Sequence, residues 1–195
     1  MNDSIKDSMQ EYLYVVDDKN QPLKKKKLRS QVHKDGDWHR TAQFFVLNKK
    51  NEVLMNLRSK IKSHYPSLWS PCNGGHINYG EEYDSGAVRE FNEEFSFKIK
   101  KNNLFSLGIY KLETKEKKIN LINREFIGVY VYFTDKKESE IKFDKNEISK
   151  VKFVNIKKLK NLINGKDRTM KLVPTKRYLL DIIDLIEKIF IKHQK

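Results

Sequence analysis

The sequence predicts an α/β fold in which a mixed β-sheet is covered by helices on both faces, an α/β/α sandwich. Short apolar runs bounded by turn signals alternate with helical patterns along the chain. The length of 195 residues suits one domain that can bury a substantial core. No run of 18 consecutive apolar residues is present, so we expect no membrane span. We therefore expect residues 11–195 to form a single domain, preceded by a flexible tail over residues 1–10.

The predicted strands are short, and turn signals separate most of them. The first extended run covers residues 11–17, and Asp18–Pro22 then indicates a turn. Asp35-Gly36 is a second turn signal, and Lys49–Glu52 is typical of a hairpin turn. Apolar or extended runs predict further strands at residues 24–29, 43–47, 53–58, 104–112, 125–133 and 151–154.

Loops and helices occupy the remaining intervals. Residues 59–71 are predicted to form a loop that holds Trp69, and residues 136–150 a charged connection. A short helix is expected over residues 156–164, and a final helix runs from about residue 175 to the end. The apolar stripe of the final helix consists of Ile182, Leu185, Ile186, Ile189 and Phe190.

Cysteine usage and the N-terminal sequence predict a cytoplasmic protein. Cys72 is the only cysteine, which excludes an internal disulfide and fits a reducing compartment. The opening sequence MNDSIKDSMQ is polar and lacks the apolar segment of a signal peptide.

The net charge of +14 comes mainly from lysine, in short runs such as Lys24–Lys27 and Lys115–Lys118. One interpretation is a nucleic-acid-binding surface, and the other is a solvated, lysine-rich surface without a dedicated partner. The sequence does not interleave aromatic and basic residues in the manner of RNA-recognition motifs, which favours the second interpretation. A positive field would still attract phosphorylated substrates.

An acidic stretch, Gly74–Phe97, is the strongest functional signal in this basic chain. A helix turns about 100° per residue, so Glu90, Glu93 and Glu94 fall on one face. Three crowded carboxylates repel one another unless a divalent cation lies between them. Carboxylate oxygens without Cys or His favour Mg²⁺ or Mn²⁺ over zinc. The neighbouring face of the predicted helix is apolar and suited to burial, with Ala87, Val88, Phe91 and Phe95.

The spacing of this stretch closely resembles the Nudix box, G-x5-E-x7-R-E-U-x-E-E-x-G-U, in which U is a bulky apolar residue. The matching positions are Gly75, Glu81, Arg89, Glu90, Phe91, Glu93, Glu94 and Phe97. Ser96 stands where the family has glycine, at the point where a left-handed residue ends the helix. We expect this serine to weaken the helix end without removing a metal ligand. The resemblance implies the Nudix α/β/α fold, with the box at residues 75–97.

The resemblance implies a metal-dependent pyrophosphohydrolase that cleaves a phosphoanhydride bond in a nucleoside diphosphate linked to another moiety. Family members neutralise the diphosphate with Mg²⁺ or Mn²⁺, and a metal-activated water attacks. The implied metal ligands here are Glu90, Glu93, Glu94 and the backbone carbonyl of Gly74. Arg89 is implied to pair with a box glutamate, Glu93 being within reach, and Glu81 to join the network through water.

The catalytic base varies across the family, and two glutamates are candidates here. Glu90 could act on the attacking water. Glu147 resembles a glutamate that other members carry in a later loop, and its alternative role is that of a plain surface carboxylate.

Beyond the box, roughly residues 11–160 are similar to the branch of the superfamily that contains isopentenyl-diphosphate isomerases and hydrolase-like relatives. The isomerases hold a metal with three histidines and two glutamates, and the comparable positions are His33, His39, His76, Asn123 and Glu125. Asn123 therefore replaces one glutamate. Gly74 stands where isomerisation needs a cysteine, and Cys72 lies two positions earlier. These two departures favour hydrolysis over isomerisation.

We assign His33, His39 and His76, together with Glu125 and Glu81, to substrate binding; for the histidines, a relic metal site is the alternative. The expected partner is a small-molecule diphosphate or nucleotide. A non-catalytic module that binds nucleotide or RNA is the third functional alternative. The sequence indicates neither the physiological substrate nor an oligomeric state.

Overall fold

In the computed structural model of the protein, strands alternate with helices, and residues 11–62, 64–96, 98–116 and 121–193 are described. The expected tail over residues 1–10 and the box residue Phe97 lie outside the described residues. The strands are β1 (Tyr12–Val16), β2 (Pro22–Leu28), β3 (Trp38–Asn48), β4 (Glu52–Arg58), β5 (Trp69–Ser70), β6 (Asn73–His76), β7 (Leu104–Glu116), β8 (Leu121–Thr134) and β9 (Ile148–Asn155). The helices are α1 (Arg29–Asp35), α2 (Tyr83–Glu94), α3 (Ile156–Ile163) and α4 (Lys176–His193), with 3-10 turns at Lys101–Asn103 and Glu138–Glu140.

These elements fall in two compact units, and β3, β6, α2, β7 and β8 contribute residues to both. The first unit combines the chain up to residue 43 with residues 74–90 and 106–130, and the second holds the rest. The predicted α/β class with a mixed sheet is confirmed, since antiparallel ladders accompany a parallel bridge between Trp69 and Leu172. The single domain over residues 11–195 stays a prediction. Within the described ranges, no helix has the length and apolar character needed to cross a bilayer.

Strand β1 lies between β2 and β3 in the first unit, and both pairings are antiparallel. Tyr12 faces Leu28 across the β1–β2 ladder, and Val15 faces His39 across the β1–β3 pairing. Directly opposed residues of an antiparallel pair point to the same face of the sheet. The alternation along β1 therefore produces one buried face, with Val15, and one face that carries Tyr12.

Helix α1 is not predicted by the sequence: the extended run predicted over residues 24–29 coincides with β2 up to Leu28, and the helix follows it, ahead of the turn signal at Asp35-Gly36. Gly36 adopts φ 68° and ψ 35°, the left-handed conformation that ends a helix, so the turn signal marks a helix end. Val32 of α1 is buried in a cluster with Leu13 and Val15. Burial of Val32 and His33 accounts for a short helix that no side-chain cap supports.

In the second unit, β4 pairs antiparallel with β9 along its whole length and with β5 near Trp69. The sequence predicts Trp69 in a loop, and this prediction is wrong. Its N–H donates to the carbonyl of Lys171 at 2.8 Å, and its carbonyl accepts from the N–H of Val173 at 3.0 Å. These partners come from a distant part of the chain, so the local sequence gives no signal for β5.

Aromatic packing holds the C-terminal end of α2. The Phe91 ring lies 4.8 Å from the Phe44 ring and 5.1 Å from the Phe95 ring, and all three rings are buried. Phe91 and Phe95 are one helical turn apart, so one side of this segment is committed to the core.

Helices α3 and α4 bury their apolar stripes in the same unit. Asn155 caps α3, since its side chain accepts a hydrogen bond from the backbone N–H of Lys157. Of the predicted α4 stripe, Ile182, Ile186 and Phe190 are buried and Leu185 and Ile189 half-buried, while Leu179 and Ile183 add to the buried set.

Candidate active site

Helix α2 carries the three carboxylates of the acidic stretch at i, i+3 and i+4. Glu90 is largely buried, Glu93 is exposed and Glu94 is buried. Ala87 and Phe91 on the neighbouring side of the helix are fully buried, whereas Val88 is only half-buried. Packing of this apolar side therefore fixes the rotation of α2 and, with it, the direction of the carboxylate face.

Arg89 is held by two box glutamates and one carbonyl. Its Nε lies 3.0 Å from Glu81 Oε1, and its Nη2 lies 3.0 Å from Glu81 Oε2. Its Nη1 donates to Glu90 Oε1 at 2.6 Å, and Nη2 also donates to the carbonyl of His76 at 2.7 Å. Burial lowers the pKa of the guanidinium, but hydrogen bonds to Glu81 and the charge of Glu90 outweigh it and raise the pKa above its ordinary value.

Glu81 joins this network by direct contact with Arg89, whereas the sequence analysis expects a contact through water. Its Oε2 also accepts the backbone N–H of Asn78 at 3.0 Å. Glu81 thus links the loop before α2 to Arg89 on the helix. The spacing of the motif alone does not reveal this direct contact.

Two glycines allow the backbone of β6 to approach the site closely. A Cβ atom on Gly75 would lie 2.3 to 2.6 Å from the carboxylate atoms of Glu90. A Cβ atom on Gly74 would lie 2.0 Å from the carbonyl oxygen of Ala42, and Gly74 has φ 141°. Only glycine fits at either position without displacing a neighbour.

The second unit holds Glu94 and orients it. The side-chain amide of Asn73 donates to Glu94 Oε2, and Asn56 Nδ2 in turn donates to Asn73 Oδ1 at 2.7 Å. The backbone carbonyl of Glu94 accepts the N–H of Asp144 at 2.8 Å. This chain of contacts fixes the carboxylate and ties the end of α2 to the segment that precedes β9.

Ser96 does not adopt the left-handed conformation that the family glycine position predicts; it is absent from the described residues with positive φ. Its N–H instead donates to the carbonyl of Lys142 at 3.1 Å, next to a bridge between Phe95 and Phe143. The expectation that serine weakens the helix end is therefore wrong, because Ser96 does not adopt the left-handed conformation that favours glycine.

Glu147 lies in the turn that follows Asp144. Its carboxylate is ion-paired with Lys62, its N–H donates to the carbonyl of Asp144 at 3.1 Å, and its carbonyl accepts from the N–H of Ser59 at 3.0 Å. Since Asp144 is bonded to the carbonyl of Glu94, this turn is anchored on the last residue of α2.

His33, His39 and His76 come together in the first unit. Their ring centroids are 5.1 to 5.3 Å apart, and one nitrogen of each ring lies within 4.8 Å of the other two. All three residues are buried. Three imidazole nitrogens in this arrangement can hold a divalent cation of the zinc or cobalt type.

Of the three histidines, His39 has the ring nitrogen that is most clearly able to bind a metal ion. Its Nδ1 lies 3.1 Å from the carbonyl of Asp37, which can only accept, so Nδ1 carries the proton and Nε2 carries a lone pair. Nε2 is buried without a hydrogen-bond partner among the described residues. Burial lowers the pKa of His39 to about 3, so the ring is neutral at physiological pH.

Glu11 adjoins the histidines, although no motif in the sequence marks it as a site residue. Its carboxylate lies 3.3 Å from His76 Nδ1 and 2.9 Å from Arg29 Nη1. Burial raises its pKa, but the hydrogen bond and charge of His76, with the charge of Arg29, lower it to about 2. Glu11 precedes β1 and is far from the box in sequence. Only the alternation of β1, which places Glu11 on the same side as Leu13, could have indicated that its side chain faces the histidines.

Glu125 and Asn123 lie in β8 of the same unit. Burial raises the pKa of Glu125 to about 7, opposed by a hydrogen bond from Asn123 and by the charge of Arg29. Asn123 Oδ1 is buried without a hydrogen-bond partner among the described residues.

Cys72 lies between β5 and β6, and its backbone carbonyl accepts a hydrogen bond from Asn56 Nδ2 of β4 at 3.0 Å. Its Sγ lies 3.6 Å from Ser70 Oγ, and it is a free thiol in the second unit. A cysteine at position 74, as an isomerase requires, would clash with the carbonyl of Ala42 on this backbone.

Comparison with known sequences identifies the family. The sequence matches the NUDIX domain over residues 37–174. It is 29% identical over 161 residues to an uncharacterized Nudix hydrolase of Clostridium acetobutylicum, covering 81% of this chain and 77% of that protein. It is 31% identical over 157 residues to isopentenyl-diphosphate Delta-isomerase 2 of Photorhabdus laumondii subsp. laumondii, covering 80% of this chain and 84% of that protein.

Comparison with solved structures confirms the predicted Nudix α/β/α fold. The structure is similar to that of DR0079 from Deinococcus radiodurans with a TM-score of 0.63 at 21% sequence identity, covering 91% of this chain and 98% of that chain. The chain therefore belongs to the Nudix family of pyrophosphohydrolases.

Proposed function

We propose that this Nudix enzyme hydrolyses a phosphoanhydride bond in a nucleoside diphosphate linked to another moiety, with Mg²⁺ or Mn²⁺ as cofactor. The observation that carries the proposal is the network in which Arg89 holds both Glu81 and Glu90 beside the glycines of β6. A network of this kind orients carboxylates as metal ligands, and a helix that only faces solvent does not need one.

The donor set fits a hard divalent cation. Glu90, Glu93 and Glu94 supply carboxylate oxygens from one helix, and Gly74 would add a backbone carbonyl. The carboxylate of Glu90 already occupies the space that a side chain at Gly75 would take, so it lies directly against β6. When bound, Mg²⁺ or Mn²⁺ would supply charge neutralisation on the diphosphate and a lower pKa for an attacking water.

The other residues act on these carboxylates and on the water. Asn73 orients Glu94 through its side-chain amide, and Arg89 orients Glu90. The proton of the attacking water passes to a carboxylate oxygen of Glu147 or of Glu90. The ion pair with Lys62 holds the carboxylate of Glu147 in place.

Small nucleotides with a diphosphate are the proposed substrate class. The net charge of +14 attracts an anionic substrate at long range. Glu125 and the three histidines stay assigned to the substrate side of the first unit, with metal ligation by the histidines as the alternative.

The experiment is a panel of nucleoside diphosphate derivatives incubated with Mg²⁺ or Mn²⁺, scored for phosphate and nucleoside monophosphate. Glu93→Gln and Glu94→Gln should each lower kcat by orders of magnitude, since each removes one negative ligand. Glu82→Gln is the matched control, because Glu82 is an exposed box-loop glutamate outside the proposed ligand set. Full activity in the Glu93 and Glu94 variants would contradict the proposal.

An isomerase-like activity is the second candidate, supported by the histidine cluster and by relatives named isopentenyl-diphosphate isomerases. Gly74 argues against it, because a cysteine side chain has no space at that position. Incubation with isopentenyl diphosphate should give no dimethylallyl product, and formation of that product would overturn the choice of hydrolysis.

A further inference from the structure

Strands β1 and β2 present a face of aromatic and basic side chains on the side opposite the histidine cluster; we call Tyr12, Tyr14, Tyr79 and Lys26, with the exposed Lys24 in the adjoining bulge of β2, the tyrosine–lysine face. Tyr12 and Tyr14 are two residues apart on β1 and share a face. Lys26 lies opposite Tyr14 in the ladder, and its Nζ is 5.0 Å from the centre of the Tyr12 ring. An aromatic ring and a cation thus alternate across two strands.

Tyr79, from the loop of the Nudix box, extends this face. Its ring stacks on Tyr14 at 4.9 Å between centroids and 21° between planes. The guanidinium of Arg40 lies 5.4 Å from the Tyr14 ring and is fixed by two hydrogen bonds to Asn20. Tyr14 is therefore held between two partners, and the stack is a preformed platform.

The platform is open to solvent. Tyr12 is 46% exposed and Tyr79 is 45% exposed. Exposed aromatic rings with a cation beside them are the surface on which nucleobases stack.

Lysines of β2 add charge that the protein itself does not neutralise. Lys24, Lys25 and Lys26 are exposed, and no carboxylate of the described residues forms an ion pair with them. Lys27, the next residue, points to the other side and is ion-paired with Asp35 and Asp37. In the ladder Lys25 faces Val15 and Lys27 faces Leu13 on the inner side, whereas Lys26 faces Tyr14 on the outer side, where its ammonium can contact a phosphate.

We propose that the tyrosine–lysine face binds single-stranded RNA, with bases stacked on Tyr79 and Tyr12 and phosphates contacted by Lys24 and Lys26. A single strand leaves its bases free to stack, whereas a duplex conceals them. The net charge of +14 complements the phosphate backbone. This binding needs neither the box carboxylates nor a metal, so it goes beyond the proposed hydrolysis and can fail separately from it.

The sequence conceals this face. Tyr79 is separated from Tyr14 by more than 60 residues, and the lysines follow the tyrosines instead of alternating with them. Aromatic and basic residues are not interleaved along the sequence. The antiparallel pairing of β1 and β2 nevertheless brings the two residue types side by side on the folded chain.

The test is fluorescence anisotropy of the full chain with a labelled ten-nucleotide RNA in EDTA, where hydrolysis is suppressed. Tyr79→Ala should weaken binding by about 5- to 100-fold, the range for loss of one stacked base. Tyr79→Phe, the matched control, keeps the ring and should bind like the wild type.

The charge contribution is tested by salt dependence. Replacing Lys24 and Lys26 together by alanine should reduce the slope of log K against log salt by about 1.4, since each phosphate contact contributes about 0.7 for a single strand. Lys150 and Lys152, exposed lysines of β9 in the second unit, are the control pair, and their replacement should leave the slope unchanged.

Three results would overturn the proposal. Equal binding by wild type and Tyr79→Ala would exclude stacking. If replacing Lys150 and Lys152 reduced the salt slope as much as replacing Lys24 and Lys26, binding would come only from diffuse electrostatic attraction. Equally tight binding of a duplex, or equal competition by a polyglutamate peptide, would show that the face attracts any polyanion.

Discussion

Arg89 and Glu81 form a bidentate ion pair in which both nitrogen–oxygen distances are 3.0 Å. The third guanidinium nitrogen, Nη1, holds Glu90 at 2.6 Å. A planar fork matches a carboxylate in this way, whereas the ammonium of lysine does not. Arg89→Lys should therefore lower kcat by about 10- to 100-fold and raise the Mg²⁺ concentration for half-maximal rate, the usual effect of losing a group that orients a metal ligand.

Arg124→Lys is the control for this change, since Arg124 also pairs with a glutamate, Glu113, but on an exposed part of the same unit. Steady-state rates over a range of Mg²⁺ concentrations measure both effects. Identical Mg²⁺ curves for wild type and Arg89→Lys would exclude a positioning role for Arg89.

The two glycines of β6 should respond differently to alanine. In Gly75→Ala the new Cβ meets the end of a flexible side chain, Glu90, at 2.3 to 2.6 Å, so the carboxylate moves and the fold persists. We expect a free energy of unfolding within about 1 kcal/mol of wild type, with at least about a tenfold loss of activity.

In Gly74→Ala the new Cβ meets the backbone oxygen of Ala42 at 2.0 Å at φ 141°, and neither can relax cheaply. We expect a loss of more than about 2 kcal/mol in the free energy of unfolding. Urea denaturation of both variants measures the difference. A fully active Gly75→Ala enzyme would show that Glu90 does not need its present position.

The strands and α2 are predictable because their signals are local. The apolar runs of β3 and β4 surround one hairpin turn, and the fixed spacing of the box places Glu90, Glu93 and Glu94 on one helix face. Helix α1 is not predictable from its own residues, because it depends on burial of Val32 against Leu13. Strand β5 likewise depends on hydrogen bonds to residues about 100 positions later.

The box motif identifies the catalytic helix, but not every partner that orients it. The direct contact between Glu81 and Arg89 depends on how the loop before α2 folds, and the link from Asp144 to Glu94 depends on the chain after β8. Glu11 illustrates the same limit, since nothing near it in the sequence indicates that it lies beside His76.

Glu147 is one of the two carboxylates proposed to accept the proton of the attacking water, and its replacement by glutamine distinguishes it from Glu90. Glu147→Gln should lower kcat by about 10²- to 10⁴-fold with little change in KM, the range for loss of a general base. Glu187→Gln is the matched control, because Glu187 is also a glutamate ion-paired with a lysine, Lys160, in the second unit. Wild-type kcat in Glu147→Gln would make Glu147 a surface carboxylate and leave Glu90 as the base.

The histidine cluster should bind Co²⁺ or Zn²⁺ if its nitrogens are ligands. We expect about one equivalent of Co²⁺ with visible absorption bands, since the lone pair of His39 Nε2 is already free. His33→Ala and His76→Ala should abolish the bands, and His64→Ala, a histidine of the second unit, should not. If the wild type showed no Co²⁺ absorption bands and His76→Ala raised the KM for substrate, the histidines would be contacts to the substrate phosphates and not metal ligands.

Glu125 should make stability depend on pH in the opposite sense to an ordinary carboxylate. Its pKa is about 7 in the folded protein against an ordinary value of 4.5, because burial penalises the charged form. Between these values the folded state binds a proton that the unfolded state has lost, so the free energy of unfolding falls as pH rises. The full effect is at most about 3 kcal/mol.

Glu125→Gln removes this charge, so the variant should unfold at higher urea concentration than wild type at pH 8. At pH 4.5 the two proteins should differ little, because wild-type Glu125 is then protonated in the folded state. Glu113→Gln is the control: its carboxylate is exposed, and its ion pair with Arg124 lowers its pKa. If wild type and Glu125→Gln lost stability in parallel from pH 5 to pH 8, the carboxylate would not be buried as the structure places it.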